Sequence, residues 1–336
     1  TRLFLVYFFV TLCFLSFSYS LESNIKWSND PDYLNVFVVP HSHNDPGWWF
    51  TFENYYIKWT KGIITSVIDA LNQDPRRTFI WCETSFFSRW WKDQPSSVHE
   101  TVKKLVRNKQ LEFVGGGWVM NDEASVDIHQ IINQYTAGHQ WLIDNVGTEA
   151  TPTTAWAIDP FGHSSAMAWA HREMGLDGMV INRVHQDIKQ SWNKNQQLEF
   201  AWDRPWNMGN RSCVQEDVNN NIGDRWDGDG MLTHMLAYKL YDIPNTCGPD
   251  WDICATFDFE RPVSVPITSE NVKERSLTLL NQYRLKHNAF SHNNLLVPLG
   301  DDFKYKNLDI TLKMMDNYQK MFDYINSDTS LKVRIR

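Results

Sequence analysis

Val36-Phe37-Val38-Val39-Pro40-His41-Ser42-His43-Asn44-Asp45-Pro46-Gly47-Trp48 joins a short apolar run to two imidazoles, a carboxylate, a Pro-Gly turn and a Trp. A strand that ends in ligand chemistry at a turn is the pattern by which α/β proteins carry an active site. His43 and Asp45, two residues apart, project to the same side of an extended segment. Imidazole plus carboxylate suits Zn²⁺, and an incomplete ligand set leaves room for substrate. Taken alone, a two-ligand pattern is equally compatible with a solvated loop carrying incidental histidines.

The rest of the chain repeats that strand-then-polar-turn arrangement. Apolar strand-like runs fall at 36–39, 78–82, 111–114, 154–158, 178–181, 231–236 and 294–298, with helical stretches between them. Ser97-Val98-His99-Glu100 has capping-box spacing, and Val102, Leu105 and Val106 then share one helical face. Over 127–145, Ile128, Ile131, Ile132, Tyr135, Trp141 and Leu142 recur at three- and four-residue spacing. Such alternation predicts an α/β fold with a mainly parallel, about seven-stranded, barrel-like sheet flanked by helices.

Bulk properties limit what such a fold can do. At 336 residues the chain can bury a sizeable core, and a net charge of −8 argues against nucleic acid as a partner. Sixteen Trp are unusually many; most belong in a core, and the others are suited to stacking on carbohydrate.

Leu3 to Tyr19 is almost wholly apolar, preceded by Arg2 and followed by small residues. Residues 1–20 therefore read as a secretory signal peptide or signal anchor, the sole expected membrane contact, with 21–35 a short polar lead. A buried core helix fits less well, because no polar face interrupts the run.

In an oxidising lumen Cys247 and Cys254 can close a small disulfide loop over Gly248-Pro249. Cys82 reads as a buried free thiol, and Asn210-Arg211-Ser212 as an N-glycosylation sequon. Val214 to Gly230 reads as a long polar insertion; its Asp217-Val218-Asn219 start lacks the Gly and Glu of a calcium loop.

The candidate chemistry clusters where strands end. The run 154–158 leads into Asp159-Pro160-Phe161-Gly162-His163-Ser164, and 294–298 into Gly300-Asp301-Asp302. The run 111–114 leads into Gly115-Gly116-Gly117-Trp118, and 178–181 into Asn182-Arg183. Two carboxyl groups on one rim can divide the work of glycoside cleavage, one attacking the anomeric carbon and one protonating the leaving oxygen. Arg183 is placed to lower the pKa of a neighbouring carboxylate, and Trp48 to floor a pyranose. For each acid taken singly, the competing role is a helix N-cap or a turn.

Five blocks in order carry a family resemblance: HSHNDPGW (41–48), LEFVGGGWVMNDEA (111–124), AWAIDPFGHS (155–164), YDIPNTCGP (241–249) and PLGDDF (298–303). Residues 36–336 resemble the N-terminal catalytic part of the class II α-mannosidases, the family 38 glycoside hydrolases. Asn44, Pro46 and YDIPNTCGP resemble the Golgi branch, which implies type II membrane anchoring, whereas the lysosomal branch resembles HTHDDVGW.

The resemblance implies retaining, zinc-dependent trimming of α1,3- and α1,6-linked mannose from N-glycans. It implies Zn²⁺ on His43, Asp45 and Asp159, with Asp159 as nucleophile and Asp302 as general acid/base. It also implies substrate contacts at Trp48, Arg183, Tyr241 and Asp301. The family is longer, and its fourth zinc ligand is a downstream His, so the chain reads as an incomplete N-terminal catalytic domain with weak zinc affinity by itself. Asn121, where the Golgi branch usually has Pro, and the insertion at 214–230 depart from the pattern. The competing readings are a lysosomal-type or secreted α-mannosidase, a zinc carbohydrate deacetylase, and a non-catalytic glycan-binding module.

Overall fold

The computed structural model describes residues 32–203 and 230–336. Its strands are β1 (Leu34–His43), β2 (Phe79–Trp81), β3 (Leu111–Phe113), β4 (Thr154–Ala157), β5 (Gly178–Ile181), β6 (Glu199–Trp202), β7 (Met231–Met235), β8 (Asn294–Asp302) and β9 (Val333–Ile335). Each of the expected strand positions is occupied. β6 and β9 are additions: β9 is only three residues long, and β6 is four residues with no buried face, so neither shows a clear period in the sequence. The signal segment 1–20, Asn210 and nearly all of the insertion lie outside the described residues. No helix among the described residues is long and apolar enough to cross a membrane.

The expected single barrel is not what forms among these residues. One sheet has the order β3-β2-β1-β8, with β9 also paired to β1, and every pairing in it is parallel. The second runs β4-β5-β7-β6. A backbone hydrogen bond from Gly115 N–H to the Thr154 carbonyl, 2.7 Å, joins the sheets where β3 meets β4. At the far end β6 lies antiparallel to β7 and takes the edge that β8 would need for closure. Closure fails there because a strand has only two hydrogen-bonding edges.

β1 and β8 run further than their apolar cores. Their register continues from Asn35↔Asn294 to His43↔Asp302, so the strand includes His41-Ser42-His43 instead of stopping at Val39. Gly300 permits this close approach: a Cβ there would sit 2.0 Å from the His41 carbonyl oxygen. Backbone cannot yield as a side-chain tip can, so Gly300→Ala is expected to destabilise the fold by about 3 kcal/mol. An unchanged denaturation midpoint for that variant would show that the two strands can part without cost.

The helix Ser96–Arg107 buries Val102, Leu105 and Val106 as its spacing predicts, a gain of about 1.5–3 kcal/mol for each side chain. Its start differs from expectation. Pro95 is the N-cap and its carbonyl accepts from Val98 and His99 N–H, so Ser97 lies inside the first turn and forms no capping box. The helix Ile128–Asn145 begins at Asp127, whose carboxylate accepts from His129 N–H. Gly138 of that helix lies against the loop after β3, where an added Cβ would come within 2.0 Å of the Gly116 carbonyl oxygen. The Cys247–Cys254 disulfide is present, with Cα atoms 5.7 Å apart, and Cys82 is a buried free thiol.

Candidate active site

Parallel pairing within each sheet aligns the strand ends, and the contact between β3 and β4 joins the ends of both sheets into one rim. His43 and Asp302 are partners in the β1–β8 register, and Asp159 follows β4 by two residues. Arg183 follows β5 at the same distance. The turn Asp159 to Ser164 is held from outside: Glu123 accepts from the Ser164 N–H at 2.6 Å and meets His163 Nδ1 at 3.0 Å, with both side chains buried. Asn121 serves the same neighbourhood by accepting from Gln134 Nε2, and Gln134 in turn accepts from the Val119 N–H.

His43, Asp45 and Asp159 offer ligand atoms that all lie within 4.8 Å of one another. His43 Nε2 is 3.2 Å from Asp45 Oδ1 and 3.5 Å from Asp159 Oδ2. Four-coordinate zinc with bonds of about 2.1 Å separates its donors by about 3.4 Å, and both His43 distances lie near that value. On the other side of the ring, Nδ1 lies 3.5 Å from Oε1 of Glu83, which is fully buried. Burial pushes the His43 imidazolium down, but Asp159, Asp45 and Glu83 together raise it well above its ordinary value. Such a nest of carboxylates favours a cation.

His41, the other imidazole of the block, is not in this cluster. It is buried edge-on against Trp156 and Tyr241, and burial together with His43 pushes its pKa down to about 3. Asn44 is fully buried and uses both ends of its amide. Nδ2 donates to the Ser42 carbonyl and hydroxyl, and Oδ1 accepts from Thr60 Oγ1.

The two rim carboxyls are biased in opposite directions. Burial raises Asp159, but His43 and Arg183 outweigh it and hold the carboxyl below its ordinary value. Arg183 donates to Asp159 Oδ1 from both Nε and Nη2. Asp302 is exposed at the end of β8, yet the protein packed around its carboxyl desolvates it and raises it. The charges of Asp45 and Asp159 add to that, against the pull of His43 and Tyr241. Tyr241 donates to Asp302 Oδ1 at 2.7 Å, and its ring meets that of His43 edge-on at 5.4 Å. Tyr241 precedes the short helix Ile243–Cys247, which Thr246 ties to the β8 carbonyl of Pro298. Burial pushes Asp301 up to about 6, and its Oδ1 accepts from the Asp302 N–H.

Around these groups the rim is aromatic. Trp48 is 73% exposed with its ring against Trp49, and Phe161 is 75% exposed beneath the Arg183 guanidinium at 4.6 Å. Glu83 and the Glu123–His163 pair carry roles that residue-by-residue reading of the chain does not identify. The available signal for Glu83 is the one used for the other acids: it stands directly after an apolar run.

The chain matches the glycosyl hydrolases family 38 N-terminal domain over residues 33–336. It is 42% identical over 323 residues to an Arabidopsis thaliana protein named alpha-mannosidase 2, covering 93% of this chain and 26% of that relative. Over 331 residues it is 42% identical to the Homo sapiens alpha-mannosidase 2, covering 95% of this chain and 27% of that relative. The chain thus spans little more than a quarter of the length of the relatives it matches. Among solved structures, an alpha-mannosidase from Enterococcus faecalis V583 aligns with a TM-score of 0.60 at 18% identity, covering 90% of this chain and 28% of that one. A 4-alpha-glucanotransferase from Thermococcus litoralis aligns with a TM-score of 0.53 at 12% identity, covering 90% of this chain and 39% of that one. At those identities the two structures bear on the fold alone.

Proposed function

The chain belongs to glycosyl hydrolase family 38, and from that premise we propose that it carries the nucleophile, the acid/base and most of the metal site of a retaining α-mannosidase. The observation that supports this reading best is the opposite bias of two carboxyls on one rim, Asp159 just after β4 and Asp302 at the end of β8. Asp159 is held ionised by His43 and Arg183, while Asp302 is raised by desolvation and tethered by a hydrogen bond from Tyr241. Environments that push two titratable groups apart assign one as nucleophile and the other as acid.

The carboxylate of Asp159 attacks the anomeric carbon of a terminal mannoside and forms an ester to it as the glycosidic C–O bond breaks. Asp302 gives its proton to the departing oxygen. Asp302, now a carboxylate, then takes a proton from water, and the resulting hydroxide displaces Asp159 from the anomeric carbon with net retention. Tyr241 holds Asp302 Oδ1, which leaves Oδ2 to carry the transferring proton. Arg183 keeps Asp159 in its charged form between turnovers. When bound by His43, Asp45 and Asp159, Zn²⁺ supplies a Lewis-acid contact for sugar hydroxyl oxygens. The exposed Trp48 ring provides a flat apolar face suited to a pyranose, and Asp301 an acceptor for its hydroxyls.

The substrates are mannose-containing N-glycans cut at α1,3 and α1,6 linkages, in the Golgi lumen, with residues 1–20 as the anchor. The alpha-mannosidase 2 names of the relatives support the sugar and the branch. The buried Asn44 network supports the Golgi form of the first block over one with Asp there, since an aspartate offers the Ser42 carbonyl no donor. A carbohydrate deacetylase has no use for a second carboxyl set to protonate a leaving group, so the Asp159–Asp302 pair speaks against it.

Dialysis of the full-length protein against a zinc chelator is expected to abolish hydrolysis of an aryl α-mannoside, and added Zn²⁺ to restore it. Undiminished turnover after removal of all bound metal would overturn the metal-dependent reading. Release of acetate instead of mannose from an acetylated glycan would favour the deacetylase.

A further inference from the structure

Glu83 is a carboxylate with no ordinary structural task. It is fully buried, and neither side-chain oxygen has a hydrogen-bond partner of good geometry. Its position at the N-cap of the helix Thr84–Trp91 invites a capping role, but its side chain accepts no hydrogen bond from that helix. A buried acid without a partner is costly to the fold, and a counterpart within reach offsets that cost.

The backbone there is held rigidly. The Glu83 carbonyl accepts from Trp81 Nε1 at 2.9 Å and from the Phe87 N–H at 3.3 Å. That anchoring aims the carboxylate at one group: Oε1 lies 3.5 Å from Nδ1 of His43. The opposite ring nitrogen, Nε2, faces Asp45 and Asp159. His43 is likewise fixed, at the last position of the β1–β8 register, where its carbonyl accepts from the Phe303 N–H.

We propose that Glu83 is a positioning residue for the cation site, accepting the Nδ1–H of His43 and so presenting the Nε2 lone pair towards a divalent metal shared with Asp45 and Asp159. The inference rests on reading those three residues as a metal site. A carboxylate behind a ligating imidazole fixes its tautomer and ring orientation and raises its basicity, and losing it typically weakens metal binding by about 10–100-fold.

The test is zinc affinity of the full-length protein, measured by competition with a chromophoric chelator, for wild type, Glu83→Gln and Asp45→Asn. Glu83→Gln is expected to bind zinc roughly 10–100-fold more weakly than wild type, and Asp45→Asn more weakly still. Melting of the metal-free proteins checks that the fold is retained. Glu83→Leu, which buries no polar group at all, takes its place should the amide variant not fold, with the same loss expected. In the cobalt-substituted proteins, the visible absorption band is expected to shift on substitution of Glu83, because the orientation of a ligand changes.

Wild-type affinity within twofold for a folded Glu83 variant, with an unshifted cobalt band, overturns the inference while leaving the metal site standing. Absence of zinc binding by wild type itself overturns the metal-site reading, and this one with it.

Discussion

Asp159→Asn in the full-length protein is expected to lower kcat for an aryl α-mannoside by roughly 10⁵-fold. The side chain is asked to do two things at once. Its Oδ2 faces His43 Nε2 at 3.5 Å on the metal side, and its Oδ1 receives Arg183. An amide in that position is a poor nucleophile, and its NH₂ would face either the guanidinium or a ligand imidazole. Loss of zinc alone would also stop turnover, so activity does not separate the two roles. A 5-fluoro mannosyl fluoride does, because it is expected to trap a covalent ester on wild-type protein. Mass analysis should then find the label on the peptide that carries Asp159. Wild-type activity in the Asn variant, or a label on another peptide, would remove Asp159 from the nucleophile role.

The second large effect depends on the leaving group. Asp302→Asn is expected to reduce kcat/KM for an unactivated mannoside by about 10²–10⁴-fold, the usual contribution of a positioned general acid. For an aryl mannoside whose phenol departs without protonation, the loss in the first step should be small. The pH profile carries the same assignment. Asp302 is raised above the ordinary carboxyl value, chiefly by desolvation, and must be protonated to act. Activity of the wild type therefore falls as pH rises through its pKa, and Asp302→Asn should flatten that alkaline limb. Asp159 is held low and must be ionised, so the acid limb stays in the variant. Equal losses on good and poor leaving groups, with the alkaline limb intact, would assign the proton to another residue; Asp301, pushed up to about 6, is the next candidate.

Local chemistry made much of this site legible in advance. Apolar runs marked every strand that ends at the rim, and His43, Asp45, Asp159, Arg183 and Asp302 are each within two residues of such an end. The structure then brings His43, Asp45 and Asp159 into one cluster, puts Arg183 on Asp159, and puts Tyr241 on Asp302. The capping box at Ser97 failed because Pro95 offers an N-cap carbonyl two residues earlier, with φ already set for a helix start. Barrel closure failed because β6, whose short half-buried run carries no clear period, occupies an edge of β7.

The positions of seven of the nine described strands, and the residue types that follow their apolar runs, were determined by the sequence alone. Side-chain period and turn chemistry act over a few residues and can be read locally. Which edges pair, and so which ends meet, was decided only in three dimensions. The split into two sheets depends on competition for hydrogen-bonding edges, and the extension of β1 through His43 depends on Gly300, far along the chain. Glu83 belongs to this second class as well. Its carboxylate matters because β1 and β2 pair beside each other and turn it towards the back of the His43 ring, a contact across forty residues that no local pattern records.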